Sequence, residues 1–128
     1  MPDKDLFEYA VIRIVPRVER EEFVNAGVIL YCPKQRFLKA RYIMEPERIQ
    51  ALCPDADIDL IAKNLHSLEQ ISHGAKDAGP IALLDIPSRF RWLTATRSTV
   101  VQTSHPHPGL CTDAAAKLEQ LFDQLVAC

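Results

Sequence analysis

The sequence predicts an α+β domain: a mostly antiparallel sheet, built from a three-stranded meander plus later strands, with two to three helices packed on one face. Three observations lead there. Before residue 45, three stretches have the β-branched, alternating character of strands joined by short turns. Two later stretches repeat apolar residues at spacings of three and four. The order of strands, then helices, then strand, then helix suits helices layered on a sheet better than repeated βαβ units. At 128 residues and 48% hydrophobic content, 1–128 reads as one domain with one core.

The first strand is "FEYAVIRIV", residues 7–15. Extended, it sets Phe7, Tyr9, Val11, Arg13 and Val15 on one face and Ala10, Ile12 and Ile14 on the other, so both faces ask for cover. After the polar loop "PRVEREEF" comes "VNAGVILYC", then a turn opening at Pro33, then "FLKARYIM", which alternates again. These three strands form the meander. "EPERIQALC" places a proline where a first helical turn tolerates it, and a short helix follows. In "DADIDLIAKNLHSLEQISHG", Ile58, Ile61, Leu65 and Leu68 fall on one stripe, with Asp55 or Asp57 as cap and Gly74 as stop. Lys63, Asn64 and Glu69 read as its solvated face. "AKDAGPIALLDIPS" reads as a connection. At the end, Leu118, Leu121, Phe122 and Leu125 mark a last helix, with Thr112 expected as its cap.

Between the connection and that helix lies "SRFRWLTATRSTVVQTSHPHPG", residues 88–109, with three arginines and no carboxylate. Read as extended chain, Arg89 and Arg91 lie side by side, Phe90 and Trp92 face the other way, and "TATR" turns the chain into a second strand, "STVVQTS". Guanidinium forks match phosphate or carboxylate, and Ser98 and Thr99 supply hydroxyls beside them. Two readings stay open: a phosphate-binding surface, or arginines neutralised elsewhere in the fold, with Arg97 paired to a glutamate of the first loop. In "HPHPGLC", His105 and His107 are expected in a polyproline-like turn, and no second ligand pair accompanies them, so no metal is expected. His107 remains a candidate acid or base because imidazole titrates near neutrality. Trp92 is read first as core and second as a base-stacking platform. In the first loop, Glu22 is expected to orient Arg13 or Arg97, or else to act as a carboxylate base or metal ligand. Asn25 is expected to bond its own backbone, and Gly27 to allow a bulge or close approach by another chain.

Composition narrows the classes. Fifteen basic against 17 acidic residues leave no global footprint of a nucleic-acid binder, so any anion site must be local. The opening "MPDKDLFEYAVIRIV" lacks the pattern of a secretory signal, and no apolar run suits a membrane span, so a cytoplasmic location is expected. Cys32, Cys53, Cys111 and Cys128 form no close pair, and free thiols are expected. No cofactor is implied.

The combination of "EFVNAGVIL" with "SRFRWLTATRSTVVQTSHPHPGLC" resembles a bacterial family of small uncharacterised proteins, domain of unknown function three-zero-three-seven. The resemblance runs from about Phe7 to the terminal helix. Its motifs are matched by Glu22, Asn25 and Gly27, and by Arg89, Trp92, Leu93, Arg97, Ser98, Thr99, His107 and Gly109. Here "TATRST" stands where the family often has a proline before the arginine. Members are often encoded beside HipA-like kinases, which implies such a kinase as a candidate partner and supplies no activity. The expectation is therefore an interaction or regulatory module acting with a HipA-like kinase or a toxin and antitoxin system. The alternative is a nucleotide- or RNA-binding enzyme with an arginine-lined phosphate site. An edge strand in the meander also makes a homodimer a candidate.

Overall fold

Strand β1 (Asp5–Ile14) is the spine of the sheet, because both of its edges are paired. The computed structural model describes residues 4–95, 97 and 99–127. On one side of β1 lie β2 (Val24–Cys32) and β3 (Phe37–Tyr42), joined by a 3-10 turn over Pro33–Gln35, which is the expected meander. On the other side, β4 (Val101–Thr103) pairs with Ile12–Ile14 and β5 (His107–Cys111) pairs with Asp5–Tyr9. The strand order is β3-β2-β1-β4, with β5 following β4 along the same edge of β1, and every pairing is antiparallel. Ser104 bridges the break between the two short strands: its N–H donates to Val11 O at 2.9 Å and its Oγ accepts from Val11 N at 2.9 Å.

The β1–β2 register shifts between Ile12 and Arg13, so that Ile12 faces Gly27 and Arg13 faces Asn25, leaving Ala26 as an extra residue. Gly27 adjoins this bulge and lies against β3. A Cβ there would lie 2.5 Å from Arg41 O and 2.6 Å from Tyr42 Cβ, so β3 can approach only a residue without a side chain.

Among the described residues there are four α-helices rather than two or three: α1 (Pro46–Leu52), α2 (Ile58–His73), α3 (Ile86–Leu93) and α4 (Ala114–Leu125). Asp57 caps α2, accepting from Leu60 N at 3.0 Å, and Gly74 ends it at φ 69°. The cap of α4 is Asp113 rather than Thr112; its carboxylate takes the N–H groups of Ala115 and Ala116. The helices cover both faces of the sheet instead of one. Ala10, Ile12, Ile14 and Ile29 bury against Ile49, Ile61, Leu65 and Phe90, whereas Phe7, Val28 and Leu30 bury against Leu118, Leu121 and Phe122 of α4. Strands apolar on both faces require this. Each fully buried side chain of this kind contributes roughly 1.5–3 kcal/mol.

Two further segments depart from expectation. Residues 88–93, read as a strand, belong to helix α3: Asp85 accepts from Ser88 N at 2.9 Å and Pro87 occupies the first turn, so the chain enters the segment already helical. The "HPHPG" segment, read as a loop, contributes β5, whose place at a sheet edge tolerates prolines. Cys32, Cys53 and Cys111 carry free thiols. Among the described residues, no helix is long and apolar enough to cross a membrane.

Candidate functional site

Helical geometry separates the arginines. On α3, positions two apart diverge by about 200°, so Arg89 turns inward with Phe90 and Leu93 while Arg91 and Trp92 stay at the surface. The guanidinium of Arg89 lies under the end of α2, where Nη1 donates to Ile71 O and Ser72 O, both at 3.2 Å. A cation at this point answers the Ser72 carbonyl and the negative end of the helix dipole, and adds a second donor to Ile71 O, which already accepts the Gly74 N–H at 3.0 Å. Arg91 forks onto Glu8 of β1, with Nη2–Oε2 at 2.9 Å and Nη1–Oε1 at 3.4 Å. Both arginines thus have partners within the protein, and they do not form the side-by-side pair that an extended chain would give.

Arg97 differs. Its guanidinium stacks 3.7 Å from the ring centroid of Trp92, and Nη2 donates to the Trp92 carbonyl. Trp92 itself is 37% exposed, so its indole is a surface platform rather than a core residue. Burial lowers the Arg97 pKa from the ordinary arginine value. No carboxylate forms an ion pair with Arg97 among the described residues. The expected pairing with a glutamate of the first loop is replaced by a cation resting on an aromatic face.

Trp92 and Arg97 rim a cleft of about 170 Å³ between α2, the end of α3 and β4. Leu68, Leu93 and Val101 line it with apolar surface; Asn64, Thr99 and Gln102 add polar groups. The loop after α3 is held by its own hydrogen bonds: Thr99 Oγ1 donates to Val101 O at 2.6 Å, and Gln102 Nε2 donates to Thr99 O at 2.9 Å. The described lining contains no carboxylate, imidazole or thiol. The described lining thus offers an aromatic face, one cation and amide and hydroxyl groups.

The remaining candidates lie elsewhere. Glu22 bonds Arg20 two residues earlier, not Arg13 or Arg97; this contact holds the exposed Glu22 carboxyl below its ordinary value and raises Arg20. Arg13 instead stacks 4.2 Å from the centroid of Phe23. Asn25 Nδ2 donates to Leu125 O at 3.3 Å, closing the end of α4 on the far face of the sheet. His107 sits on β5 opposite Tyr9, ring centroids 5.4 Å apart. Ser98 lies outside the described residues. The fold thus gathers Trp92, Arg97 and Thr99, and disperses Glu22, Asn25, Arg89, Arg91 and His107. Asn64 and Gln102 enter the cleft unannounced. Nothing in the sequence marks Asn64 apart from any polar position on α2, because only the packing of α2 beside β4 brings it there.

Searches among curated proteins and among solved structures found no match to this chain. The family described as "Protein of unknown function (DUF3037)" matches residues 9–126, which takes in the larger part of β1, the other four strands and all four helices. The chain belongs to that family.

Proposed function

We propose that this chain is a small cytoplasmic bacterial interaction or regulatory module, and that it engages a partner protein through the Trp92–Arg97 cleft. One observation carries the reading: an exposed tryptophan and an arginine that has no carboxylate partner among the described residues stand together at the rim of a partly apolar recess. Tryptophan and arginine are the residue types that dominate binding energy at protein interfaces, and they do so where a recess excludes water around them. A HipA-like kinase, or a related component of a toxin and antitoxin system, is the first partner to test, on the strength of the family resemblance.

The experiment is co-purification of the full chain with a HipA-like kinase, followed by titration calorimetry. Trp92→Ala and Arg97→Ala are each expected to weaken association by at least tenfold, a loss of about 1.4 kcal/mol. Arg91→Ala is expected to leave it unchanged. Absence of association at micromolar concentrations, or equal effects of all three substitutions, removes the proposal.

The same pair favours a second reading, a nucleotide- or RNA-binding protein in which the indole stacks a base and Arg97 meets a phosphate. As an enzyme it would need a proton-moving group, and Glu22 and His107 lie away from the cleft. A nucleotide panel read by thermal shift tests it: a rise in melting temperature that disappears in Arg97→Ala supports this reading over a protein partner.

A further inference from the structure

The sheet has an open edge at β3, opposite the edge that carries β4 and β5. Its hydrogen-bonding phase follows from the ladder. Ile43 N donates to Ala26 O at 2.9 Å, which makes Ile43 and Ala26 a hydrogen-bonded pair. Alternation along the antiparallel register then turns the backbone of residues 37, 39 and 41 toward β2. Leu38, Ala40 and Tyr42 consequently present their N–H and C=O groups outward, a template for one more strand.

We propose that this edge pairs with the β3 edge of a second copy of the chain, antiparallel, about a two-fold axis through Ala40. The three outward-facing residues are symmetric about Ala40, so Ala40 bonds its own counterpart while Leu38 bonds the copy's Tyr42 and Tyr42 the copy's Leu38. Such a register pairs the outward groups of all three residues, with the Tyr42 carbonyl, which accepts from Arg41 Nη1 at 3.4 Å within the chain, exchanging that donor for the N–H of the copy's Leu38. The side chains agree with it. Leu38 and Tyr42 lie on the α2 face, each partly exposed and packed against the core, and the register sets them against each other across the axis. The charges agree as well. Lys34 and Arg36, both exposed, stand just before the strand, and the exposed Glu45 and Glu47 stand just after it, so an antiparallel copy brings the basic end of one edge to the acidic end of the other; Glu45 lies 4.0 Å from Arg48. On the other face Lys39 comes level with the copy's Arg41, which already holds Glu119 at 3.4 Å, so a carboxylate accompanies the second cation. The basic start and acidic end of the edge are thus self-complementary only in the antiparallel sense, the sense a two-fold axis requires. This inference does not depend on the cleft, which lies toward the other edge of the sheet.

Sedimentation velocity on the full chain across a concentration series is expected to show a monomer–dimer equilibrium. Hydrogen exchange should show the amides of Leu38, Ala40 and Tyr42 gaining protection as dimer forms, while the amides of Lys39 and Arg41 are protected throughout. Ala40→Pro removes an outward donor without touching the β2 ladder and is expected to give a monomer. Because Ala40 is buried, the variant Lys34→Glu/Arg36→Glu provides an independent test at exposed positions. It should weaken the dimer about tenfold, the sum of four exposed ion pairs, and pairing should return when it is mixed with Glu45→Lys/Glu47→Lys. A chain that stays monomeric at millimolar concentration overturns the proposal. So does a dimer that leaves those three amides exchanging freely, or one indifferent to the charge reversal.

Discussion

Arg89 occupies the space that a side chain on Gly74 would need: a Cβ built there collides with Arg89 Nη1 and lies 3.1 Å from Cζ, at a backbone φ of 69°. The glycine that ends α2 and the arginine that neutralises its carbonyls are one joint, and each is placed by the other. Gly74→Ala is expected to cost about 2 kcal/mol, combining left-handed backbone strain with the displacement of the guanidinium. Arg89→Ala should cost about 2 kcal/mol by leaving the Ser72 carbonyl without its donor and the Ile71 carbonyl with the Gly74 N–H alone. In Gly74→Ala/Arg89→Ala the collision is gone, so urea unfolding should return a loss about 1 kcal/mol smaller than the sum.

Arg91 looks similar in sequence and behaves differently. Its fork onto Glu8 is open to solvent, with the Arg91 side chain 60% exposed. Arg91→Ala is therefore expected to cost under about 1 kcal/mol, and that small cost should shrink further in 1 M salt. A loss as large as that of Arg89→Ala would contradict this assignment.

The N-cap of α3 gives a pH signature. Hydrogen bonds from Ser88 hold the Asp85 carboxyl below its ordinary value of 3.8. A depressed carboxyl pKa contributes stability that is present above the ordinary value and is lost as pH falls through the folded one. Acid unfolding of the parent chain should thus include a component below about pH 4. Asp85→Asn keeps a capping oxygen and removes the titration, so it should match the parent near neutrality and flatten that part of the acid limb. Asp85→Ala should be less stable at both ends of the range.

Trp92 is the sole tryptophan, which makes its emission a local reporter of the cleft. With the Arg97 guanidinium removed from its ring, the indole meets more water, and Arg97→Ala should shift emission to the red. Melting temperature should change little, because the stack lies at the surface. An unchanged spectrum would mean that the cation does not rest on the ring in solution.

Much of the fold was legible because long segments agreed at every level. Ile58, Ile61, Leu65 and Leu68, the Asp57 cap and the Gly74 stop all pointed to α2, and the meander alternated cleanly around Pro33. The misreading of α3 has a simple cause. In "SRFRWL", arginine alternates with aromatic residues, which satisfies a period of two, while the three-residue step from Phe90 to Leu93 satisfies a helix equally well. The deciding signal lay outside the segment, in Asp85 and Pro87, where a stretch read as a connection held a helix start. β5 was hidden by its prolines, which argue against a strand except at an edge. For the cleft, the motif identified Trp92, Arg97 and Thr99, but the true partners of Arg89 and Arg91 are the end of α2 and Glu8, and contacts between residues that far apart leave no local pattern.

Ser104 also fixes an order of events. Since β1 is bordered by β2 on one side and by β4 and β5 on the other, the N-terminal hairpin and its third strand can assemble from nearby sequence alone. The second flank of β1 must wait for a segment about ninety residues away, as the pairing of Val11 with Ser104 requires. On the ribosome, β1 keeps one side bare until the segment around Ser104 has been made. Until then the spine of the finished sheet is its most adhesive edge, and docking of the chain around Ser104 is the step that retires it.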